Sequence, residues 1–378
     1  MKFGLVAGEA SGDVLGAGLI RALRARHPDA TFEGVAGPEM VAAGCEQWEP
    51  SESLAVFGLI EPLRHIPRLL RLRRKLVRRW TESPPDVFIG IDAPDFNFGL
   101  EKKLRRAGIK TAHYVSPTIW AWRAGRIRTV KKASDLVLCI LPFEPSIYAE
   151  HDVDAVFVGH PKASEAPGVV DTAAARASLG VGAKDVIAVM PGSRNGEVAR
   201  LGGVFARAAA MIAASRPDVH FVTPIAAAGL RPAVEAQLDQ YGVSERFTLV
   251  DGNSQLVMSA ADVVLQASGT AVLEAALLRK PAVAAYRVAP ITYFLAKNLF
   301  RLNLAHYTLP NLLTEEPLVP EFMQNDAQPG PLADAVLALL EDSQRRAMIS
   351  ERFDRLRREL ALDSDQRAAD AVLKLARP

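Results

Sequence analysis

Carboxylate side chains stand in two short segments that each follow an apolar run of strand type. The first segment is GEASGD, which contains Glu9, and the second is IDAPDFN, which contains Asp92. A carboxylate at a strand end can take the proton of an attacking hydroxyl, and Asp92 is the predicted general base. Glu9 stands in a glycine turn, where a carboxylate indicates contact with a ligand, and it is the second catalytic candidate. Other polar residues of these turns are candidates for plain helix capping: Ser11, Asp13, Asp95 and Asn97.

Two further turns predict an anion-binding site. PGSRNGE follows the apolar run DVIAV, and ASGTAVLEAAL follows DVVLQ. Glycine and serine at a helix start leave backbone N–H groups unpaired, and these groups bind phosphate together with the helix dipole. Arg194 adds a guanidinium for a diphosphate, and Glu274 is placed to reach a ribose hydroxyl pair. The predicted nucleotide-binding residues are Gly192, Ser193, Arg194, Glu197, Ser268, Gly269, Thr270 and Glu274.

Two common nucleotide fingerprints are absent from these segments. PGSRNGE lacks the P-loop lysine and GEASGD lacks the G-x-G-x-x-G spacing, so we predict neither a nucleotide hydrolase nor an NAD enzyme. For PGSRNGE, the alternative to an anion-binding turn is an ordinary capping box closed by Glu197.

Aromatic and polar residues are concentrated in HYVSPTIWAWRAGRI, which begins at His113. This mixture suits a pocket for a sugar or an acyl chain, and it makes Ser116, Trp120 and Arg123 candidate binding residues. Core packing is an equally good explanation for Trp120 and for Trp122.

The segment from Leu63 to Trp80 holds eight basic residues and no acidic one. Projected as a helix, it has an apolar half and a basic half, with Arg73 as the exception and Pro67 expected to break or start the helix. We expect the basic half to meet anionic lipid or a phosphorylated acceptor, the alternative being a solvated surface. The predicted membrane contacts are Arg68, Arg71, Arg74, Lys75 and Arg78. A second candidate is the aromatic segment ITYFLAKNLFRLNLAHY.

The composition and the N-terminal segment indicate which class of protein to expect. The chain has 378 residues, of which 49% are hydrophobic and 23% are charged, and this composition is typical of a folded soluble protein. Cys45, in a predicted loop, and Cys139 have neither disulfide nor metal spacing, which favours a reducing compartment. The N-terminus turns polar too early for a signal peptide, and no window is expected to span a membrane. We therefore expect a cytoplasmic protein.

Strand-type runs alternate with helical patterns along most of the chain, which predicts parallel strands with crossover helices. The expected fold class is α/β, with two Rossmann-like doubly wound domains, 1–165 and 166–345, separated by a cleft. A helical tail, 346–378, is expected to pack on the first domain or on a second subunit. The predicted boundary lies in PKASEAPGVVD.

Six segments occur in the order and spacing of the lipid A disaccharide synthase family, which the chain resembles over nearly its whole length: GEASGD, IDAPDFN, YVSPTIWAWR, PGSRNGE, SGTAVLE and LPNLL. The resemblance implies a GT-B type, inverting glycosyltransferase. It implies UDP-2,3-diacylglucosamine as donor and 2,3-diacylglucosamine 1-phosphate as acceptor, joined β(1→6) with release of UDP. Peripheral attachment to the inner face of the inner membrane is also implied, because both substrates carry acyl chains.

By the same resemblance, Arg194, Glu274 and Asn311 are donor contacts, while Glu9 and Asp92 lie near the reacting hydroxyl. The implied acceptor-binding residues are Gly8, Ser11, Asp95, Asn97, Ser116, Trp120 and Arg123.

An inverting transfer needs a base on the acceptor side and positive potential at the departing diphosphate. Asp92 would supply the base; Arg194 and the N–H groups near Gly192, Ser193, Ser268 and Gly269 would supply the potential. We expect no metal and no cofactor, since no aspartate pair is placed to hold a metal at the diphosphate. A homodimer is possible, and the net charge of +2 argues for no nucleic-acid partner. The alternatives are a nucleotide-sugar epimerase of this architecture and a non-catalytic, membrane-associated nucleotide-sugar-binding protein.

Overall fold

The structure is a computed structural model that describes residues 1–54, 61–120, 124–182, 184–288 and 306–377. The chain forms two compact units. One contains Met1–Ser164 together with Leu360–Pro378, and the other contains Glu165–Glu359.

The first unit is built on a seven-stranded sheet of order β3-β2-β1-β4-β5-β6-β7, in which every pair is parallel. Its strands are β1 (Lys2–Ala7), β2 (Thr31–Ala36), β3 (Cys45–Pro50), β4 (Val87–Ile91), β5 (Lys110–Tyr114), β6 (Leu136–Cys139) and β7 (Ala155–Phe157). Strand β4 reads VFIGI and is buried at every residue, as a central strand covered by helices on both faces requires.

Helices cover both faces of this sheet. They are α1 (Ala10–Arg26), α2 (Pro38–Ala42), α3 (Glu61–Glu82), α4 (Pro94–Arg106), α5 (Ile127–Ala133), α6 (Glu144–Ala149) and α7 (Pro161–Glu165). Leu19 and Leu23 of α1 pack on one face with Val372 of the C-terminal helix. Trp80 of α3 and Leu100 of α4 pack on the other face. The carboxyl ends of the strands are thereby left open at one edge.

The second unit repeats this plan with a six-stranded parallel sheet of order β10-β9-β8-β11-β12-β13. Its strands are β8 (Asp185–Met190), β9 (Val219–Ile225), β10 (Phe247–Asp251), β11 (Val263–Ala267), β12 (Ala282–Tyr286) and β13 (Glu321–Met323). Its helices are α8 (Thr172–Leu179), α9 (Asn195–Ser215), α10 (Arg231–Gln240), α11 (Ser254–Ala260), α12 (Thr270–Leu277), α13 (Leu309–Leu313), α14 (Pro329–Glu341) and α15 (Ser343–Leu360). Strands β8 and β11 are direct neighbours, so the turns that follow them meet at one edge.

The expected tail is divided between the units. Helix α15 belongs almost wholly to the second unit, where Phe353 and Ile349 are buried in its main core. The last helix, α16 (Ser364–Ala376), belongs to the first unit and packs against α1. The division falls at Leu360 instead of residue 346, because the apolar residues on either side of that point face different cores.

Two edge strands were not predicted. Cys45 lies on β3 and not in a loop, and β13 is only three residues long. Edge strands carry polar residues and lack the apolar run that marks a central strand, so their patterns are weak.

Helix α9 corrects the expectation that no segment could span a membrane. Its residues Asn195–Ser215 are long and apolar enough by length and composition, and 44% of the most apolar window is buried within the protein. Phe205 and Ile212 enter the main core of the second unit, while Val198 and Ala206 enter a second cluster under α10. A helix buried on two sides is apolar for packing reasons alone.

Candidate active site

The main feature of the second unit is a cavity of about 550 Å³ at the carboxyl ends of β8 and β11. All eight predicted nucleotide-binding residues of the two turns line it: Gly192, Ser193, Arg194, Glu197, Ser268, Gly269, Thr270 and Glu274. The structure therefore brings together two turns that lie more than 70 residues apart in the sequence. A cavity of this size, with glycine and serine in its wall, suits a nucleotide diphosphate.

The turn after β8 is closed by its own glutamate. Glu197 Oε2 accepts hydrogen bonds from the backbone N–H groups of Ser193 (3.0 Å) and Arg194 (3.3 Å), which completes a capping box. Gly192 has a φ of 125°, and a Cβ there would lie 2.5 Å from Glu197 Oε2. The capping alternative is correct for this turn, and the Ser193 N–H predicted to face the diphosphate is already engaged.

The turn after β11 keeps its donors open. The Ser268 N–H donates to Ala285 O at 2.7 Å, so this predicted anion donor is also engaged. Within the described ranges, by contrast, the N–H groups of Gly269, Thr270 and Ala271 have no hydrogen-bond partner, and the start of α12 has no side-chain cap. These three residues line the cavity. The anion-binding potential is therefore concentrated at α12, with its positive dipole end.

Arg194 projects from the opposite wall. Its side chain is 82% exposed, and its Nη1 lies 3.4 Å from Glu197 Oε1. An exposed guanidinium held by one long ion pair can turn towards an anion in the cavity at little cost.

Sequence reasoning missed several residues that line the cavity, among them Asn253 and Tyr286. Tyr286, at the end of β12, is 36% exposed, and Asn253 has a left-handed φ of 47° while its side chain accepts from the Leu256 N–H. The turn signal DGNS in the sequence could have identified Asn253. The strand-type run PAVAAY ends at Tyr286, but a tyrosine at a strand end carries no signal of its own for ligand binding.

Asn311 does not occupy the position of a donor contact. It is 3% exposed; its Nδ2 donates to Val319 O and Glu321 Oε1, and its Oδ1 accepts from the N–H groups of Leu318 and Val319. All four hydrogen-bonding positions of the amide are filled within the loop. We therefore correct its assignment from substrate contact to positioning of the chain before β13.

In the first unit, Asp92 stands in a strained turn after β4. Both Asp92 (φ 50°) and Ala93 (φ 42°) are left-handed, an unfavourable conformation for residues other than glycine. The Asp92 N–H donates to Tyr114 O at 2.8 Å, and the residue is half-buried. In the part of the chain that the structure describes, its carboxylate has no hydrogen bond or ion pair. Strain of this kind is typical of functional turns.

Asn97 corrects another prediction. It is fully buried, and its Nδ2 donates to the carbonyls of Asp92 (2.8 Å), Ile91 (3.3 Å) and Val6 (3.4 Å). A side chain with no exposed surface cannot contact an acceptor, so Asn97 holds the turn that carries Asp92.

The turn after β1 lies beside the turn after β4. Glu9 is the exposed N-cap residue of α1, and a Cβ on Gly8 would lie 2.7 Å from Ala93 Cβ. Ser11 is exposed as well. Asp13 does not cap α1, because its carboxylate accepts from the N–H groups of Gly37, Glu39 and Met40 at the start of α2.

The aromatic segment after β5 surrounds a buried acid that was not predicted. Glu144 is 2% exposed and accepts hydrogen bonds from Trp120 Nε1 (3.3 Å) and from the Leu141 N–H (3.1 Å). Desolvation by burial raises the pKa of Glu144 to about 7, and these hydrogen bonds limit the rise. Ser116 is also buried, within 2.9 Å of Tyr148 Oη. Trp120 and Ser116 are therefore held in place by packing and hydrogen bonds.

Other residues of this segment are placed as follows. His113 is fully buried, with its Nδ1 2.7 Å from Glu101 Oε1, so it faces the interior. Arg126 forms an ion pair with Asp95, an exposed residue in the first turn of α4. Trp122 and Arg123 lie outside the described residues.

The predicted membrane helix α3 runs through Pro67 without a break. The five predicted lipid-contacting residues are exposed: Arg68, Arg71, Arg74, Lys75 and Arg78. Neighbouring acids neutralise part of this surface, since Lys75 pairs with Glu49 (2.6 Å) and Arg78 with Glu82 (3.3 Å). Most of the second candidate, ITYFLAKNLFRLNLAHY, lies outside the described residues.

Comparison with known proteins gives a consistent result. A family model described as lipid-A-disaccharide synthetase matches residues 3–375. The chain is 50% identical to the lipid-A-disaccharide synthase of Alkalilimnicola ehrlichii, covering 100% of this chain and 99% of that protein. It is 49% identical to that of Pseudomonas putida, covering 98% and 97%.

Solved structures agree on the fold. The UDP-GlcNAc 2-epimerase from Neisseria meningitidis, bound to UDP-GlcNAc, has a TM-score of 0.62 at 13% identity, covering 99% of this chain and 100% of that one. The glycotransferase of kitacinnamycin has a TM-score of 0.61 at 18% identity, covering 99% and 98%. Likeness at these identities concerns the fold alone, and it confirms the predicted GT-B type.

Proposed function

This chain belongs to the lipid-A-disaccharide synthase family, and from that premise we propose how its residues carry out the transfer. It is a glycosyltransferase of lipid A synthesis, acting on a nucleotide-sugar and a sugar-phosphate. We propose UDP-2,3-diacylglucosamine as the donor and 2,3-diacylglucosamine 1-phosphate as the acceptor, with a β(1→6) bond formed and UDP released.

The observation that carries the proposal is the cavity of the second unit, which joins two strand-to-helix turns. The diphosphate of the donor would accept hydrogen bonds from the open N–H groups of Gly269, Thr270 and Ala271. Arg194 would approach from the other wall, and Glu274 would accept from the ribose hydroxyls. Donors already fixed by the fold stabilise the charge that develops on the leaving group without being reorganised during the reaction.

Asp92 is the proposed general base. The acceptor hydroxyl gives its proton to the Asp92 carboxylate while its oxygen forms a bond to the anomeric carbon of the donor. The bond from that carbon to the diphosphate oxygen breaks, and its electron pair leaves with UDP. A single displacement inverts the configuration, as a β product from an α-linked donor requires. The unpartnered carboxylate in a strained turn supports this role.

Glu9 and the remaining acceptor contacts complete the proposal. Glu9 stands on the turn that touches Ala93, which supports a place for it near the reacting hydroxyl. We keep the other residues of the acceptor set as proposed contacts: Gly8, Ser11, Asp95, Ser116, Trp120 and Arg123. Independence from metals and cofactors stays a prediction, and so does a homodimer.

The exposed basic face of α3 supports peripheral attachment to the inner face of the inner membrane. Arg68, Arg71 and Lys75 border an open depression of about 410 Å³ that fits anionic headgroups. Sedimentation with vesicles tests this. Binding to phosphatidylglycerol vesicles should exceed binding to phosphatidylcholine vesicles and fall with added salt. Equal binding to both would remove the electrostatic contribution.

The assay for the proposed reaction is mass measurement of the lipid product after incubation with both substrates. Asp92→Asn should lower kcat by about 10²- to 10⁴-fold, as expected for loss of a general base. Asp29→Asn is the matched control, because Asp29 is exposed in the loop before β2, at the opposite edge of the sheet.

Arg194→Ala should weaken the donor site, with Arg207→Ala as the control on the exposed side of α9. If Asp92→Asn or Arg194→Ala keeps a near wild-type kcat/KM, the role assigned to that residue is wrong. Formation of an epimerised nucleotide-sugar without disaccharide would refute the transferase assignment.

A further inference from the structure

Arg73 points in a different direction from the other basic residues of α3. It is half-buried, whereas the basic residues on either side of it in the helix, such as Arg71 and Arg74, are exposed. Arg73 is therefore not part of the outward-facing basic half of α3. Its guanidinium contacts other residues of the first unit instead.

That contact is the first turn of α4. Arg73 Nη2 donates to Asp95 O at 3.0 Å, and its Cζ lies 4.9 Å from the centre of the Phe96 ring. Burial lowers the pKa of Arg73 from its ordinary value, although a guanidinium remains a cation at neutral pH. Its Nε is buried without a hydrogen-bond partner among the described residues. The Arg73 guanidinium is thus partly desolvated where it packs against α4.

Gly99 provides the space for this contact. A Cβ on Gly99 would lie 2.6 Å from Arg73 Cζ and 2.6 Å from its Nη1. Gly99 lies about one turn further into α4 than the Arg73 contacts. Because glycine in a helix interior lowers helix stability, a contact outside the helix must favour it at this position. That contact is with the guanidinium lying across it.

Helix stability does not explain the arrangement either. The positive end of a helix dipole is at the N-terminus, where a cation is unfavourable. Arg73 nevertheless places its charge on the first turn of α4, directly after the left-handed residues Asp92 and Ala93. Asn97 holds the same turn from the sheet side. The strained turn is therefore fixed from two sides, by an amide from within and a guanidinium from α3.

We propose that Arg73 is a positioning residue for the transfer reaction, fixing the turn that presents Asp92; this rests on the role of Asp92 proposed above. Helix α3 is a firm support for it, because Leu76 and Trp80 anchor α3 in the core of the same sheet face. Arg73 itself need not touch either substrate.

Steady-state kinetics of Arg73→Met, Gly99→Ala and the double variant test the proposal. Arg73→Met should lower kcat at least 10-fold with the donor KM within 2-fold of wild type. Gly99→Ala should lower kcat in the same way, because its methyl group displaces the guanidinium. The double variant should be no worse than Arg73→Met, since nothing remains to displace. Arg79→Met is the matched control: it also removes a cation–π contact of α3, but the partner is Trp48 on β3 and not a residue of α4.

Rescue by a conservative variant separates positioning from mere stabilisation of the fold. Arg73→Lys keeps a side chain that can donate to Asp95 O, so it should recover part of the kcat lost in Arg73→Met, with the donor KM unchanged in both variants. If Arg73→Met does not fold, Arg73→Lys and Gly99→Ala still carry the test.

Three results would overturn the inference: a kcat of Arg73→Met within 2-fold of wild type, additive losses in the double variant, or a kcat of Arg73→Lys no higher than that of Arg73→Met. A wild-type protein that forms no disaccharide would instead refute the proposed function.

Discussion

Asn97→Asp distinguishes a residue that holds the catalytic turn from one that binds substrate. In the structure, Asn97 Nδ2 donates to three backbone carbonyls, and the bond to Asp92 O, at 2.8 Å, is the shortest. A carboxylate at this position has no donor to offer when it is ionised, and it would face the same three oxygens. The substitution is nearly isosteric, so packing should hardly change.

The magnitude follows from the contacts. Loss of the short bond removes about 1 kcal/mol, and leaving the half-buried Asp92 carbonyl unpaired costs roughly 1–3 kcal/mol more. Asn97→Ala should therefore lower the free energy of unfolding of the first unit by about 2–4 kcal/mol. Asn97→Asp should cost at least as much at pH 8, because it adds repulsion between the carboxylate and the carbonyls. Burial raises the pKa of an acid here, so the loss should shrink towards pH 5, where protonation restores one donor.

The assay is urea denaturation followed by tryptophan fluorescence, which reports on the first unit because all four tryptophans lie in it. Steady-state kinetics form the second measurement: kcat should fall more than KM rises, since the turn that carries Asp92 loosens. A stability loss below about 1 kcal/mol at pH 8, together with a change in acceptor KM alone, would refute this reasoning. Asn97 would then be the acceptor contact that the sequence predicted.

Two other perturbations have defined outcomes. Glu144 has a pKa raised from 4.5 to about 7, so the folded state holds its proton more tightly and the first unit should lose up to roughly 3 kcal/mol of stability as pH rises from 4.5 to 7. Urea titrations across that range should show the slope in wild type and not in Glu144→Gln; an identical slope in both would rule out Glu144 as its source. Gly192→Ala should raise the donor KM and cost about 1–2 kcal/mol, because its φ of 125° disfavours alanine and the new methyl group strikes Glu197. Gly203→Ala, a control in the middle of α9 with open space around its Cβ, should be neutral or stabilising, and a similar KM change there would contradict the explanation.

Much of the fold and the general location of the site could be predicted from the sequence. Central strands such as β4 and β8 are continuous apolar runs, and each is followed by a turn rich in glycine and polar residues. Parallel strands place such turns at one edge, so the two nucleotide-binding turns could be paired from their positions in the sequence. The edge strands β3 and β13 could not be predicted in this way, because β3 is mostly polar and β13 is only three residues long, so neither contains a continuous apolar run.

The family could also be identified from the sequence, because the order and spacing of short motifs is a property of the chain itself. Which side of a turn a polar residue faces is a different kind of property. Asn97 and Asn311 were both predicted to touch substrates, and both use their amides to hold buried backbone.

Only the tertiary structure decided which polar groups remain available. The N–H of Ser193 is used by Glu197, while those at the start of α12 stay open. Arg73 and its exposed neighbour Arg74 have the same side chain, yet only Arg73 lies against a helix that begins more than 20 residues later. The sequence determines which groups can donate, accept or carry charge. Whether such a group is buried, and which partner it binds, depends on neighbours that folding brings close. The local sequence pattern contains no information about those neighbours.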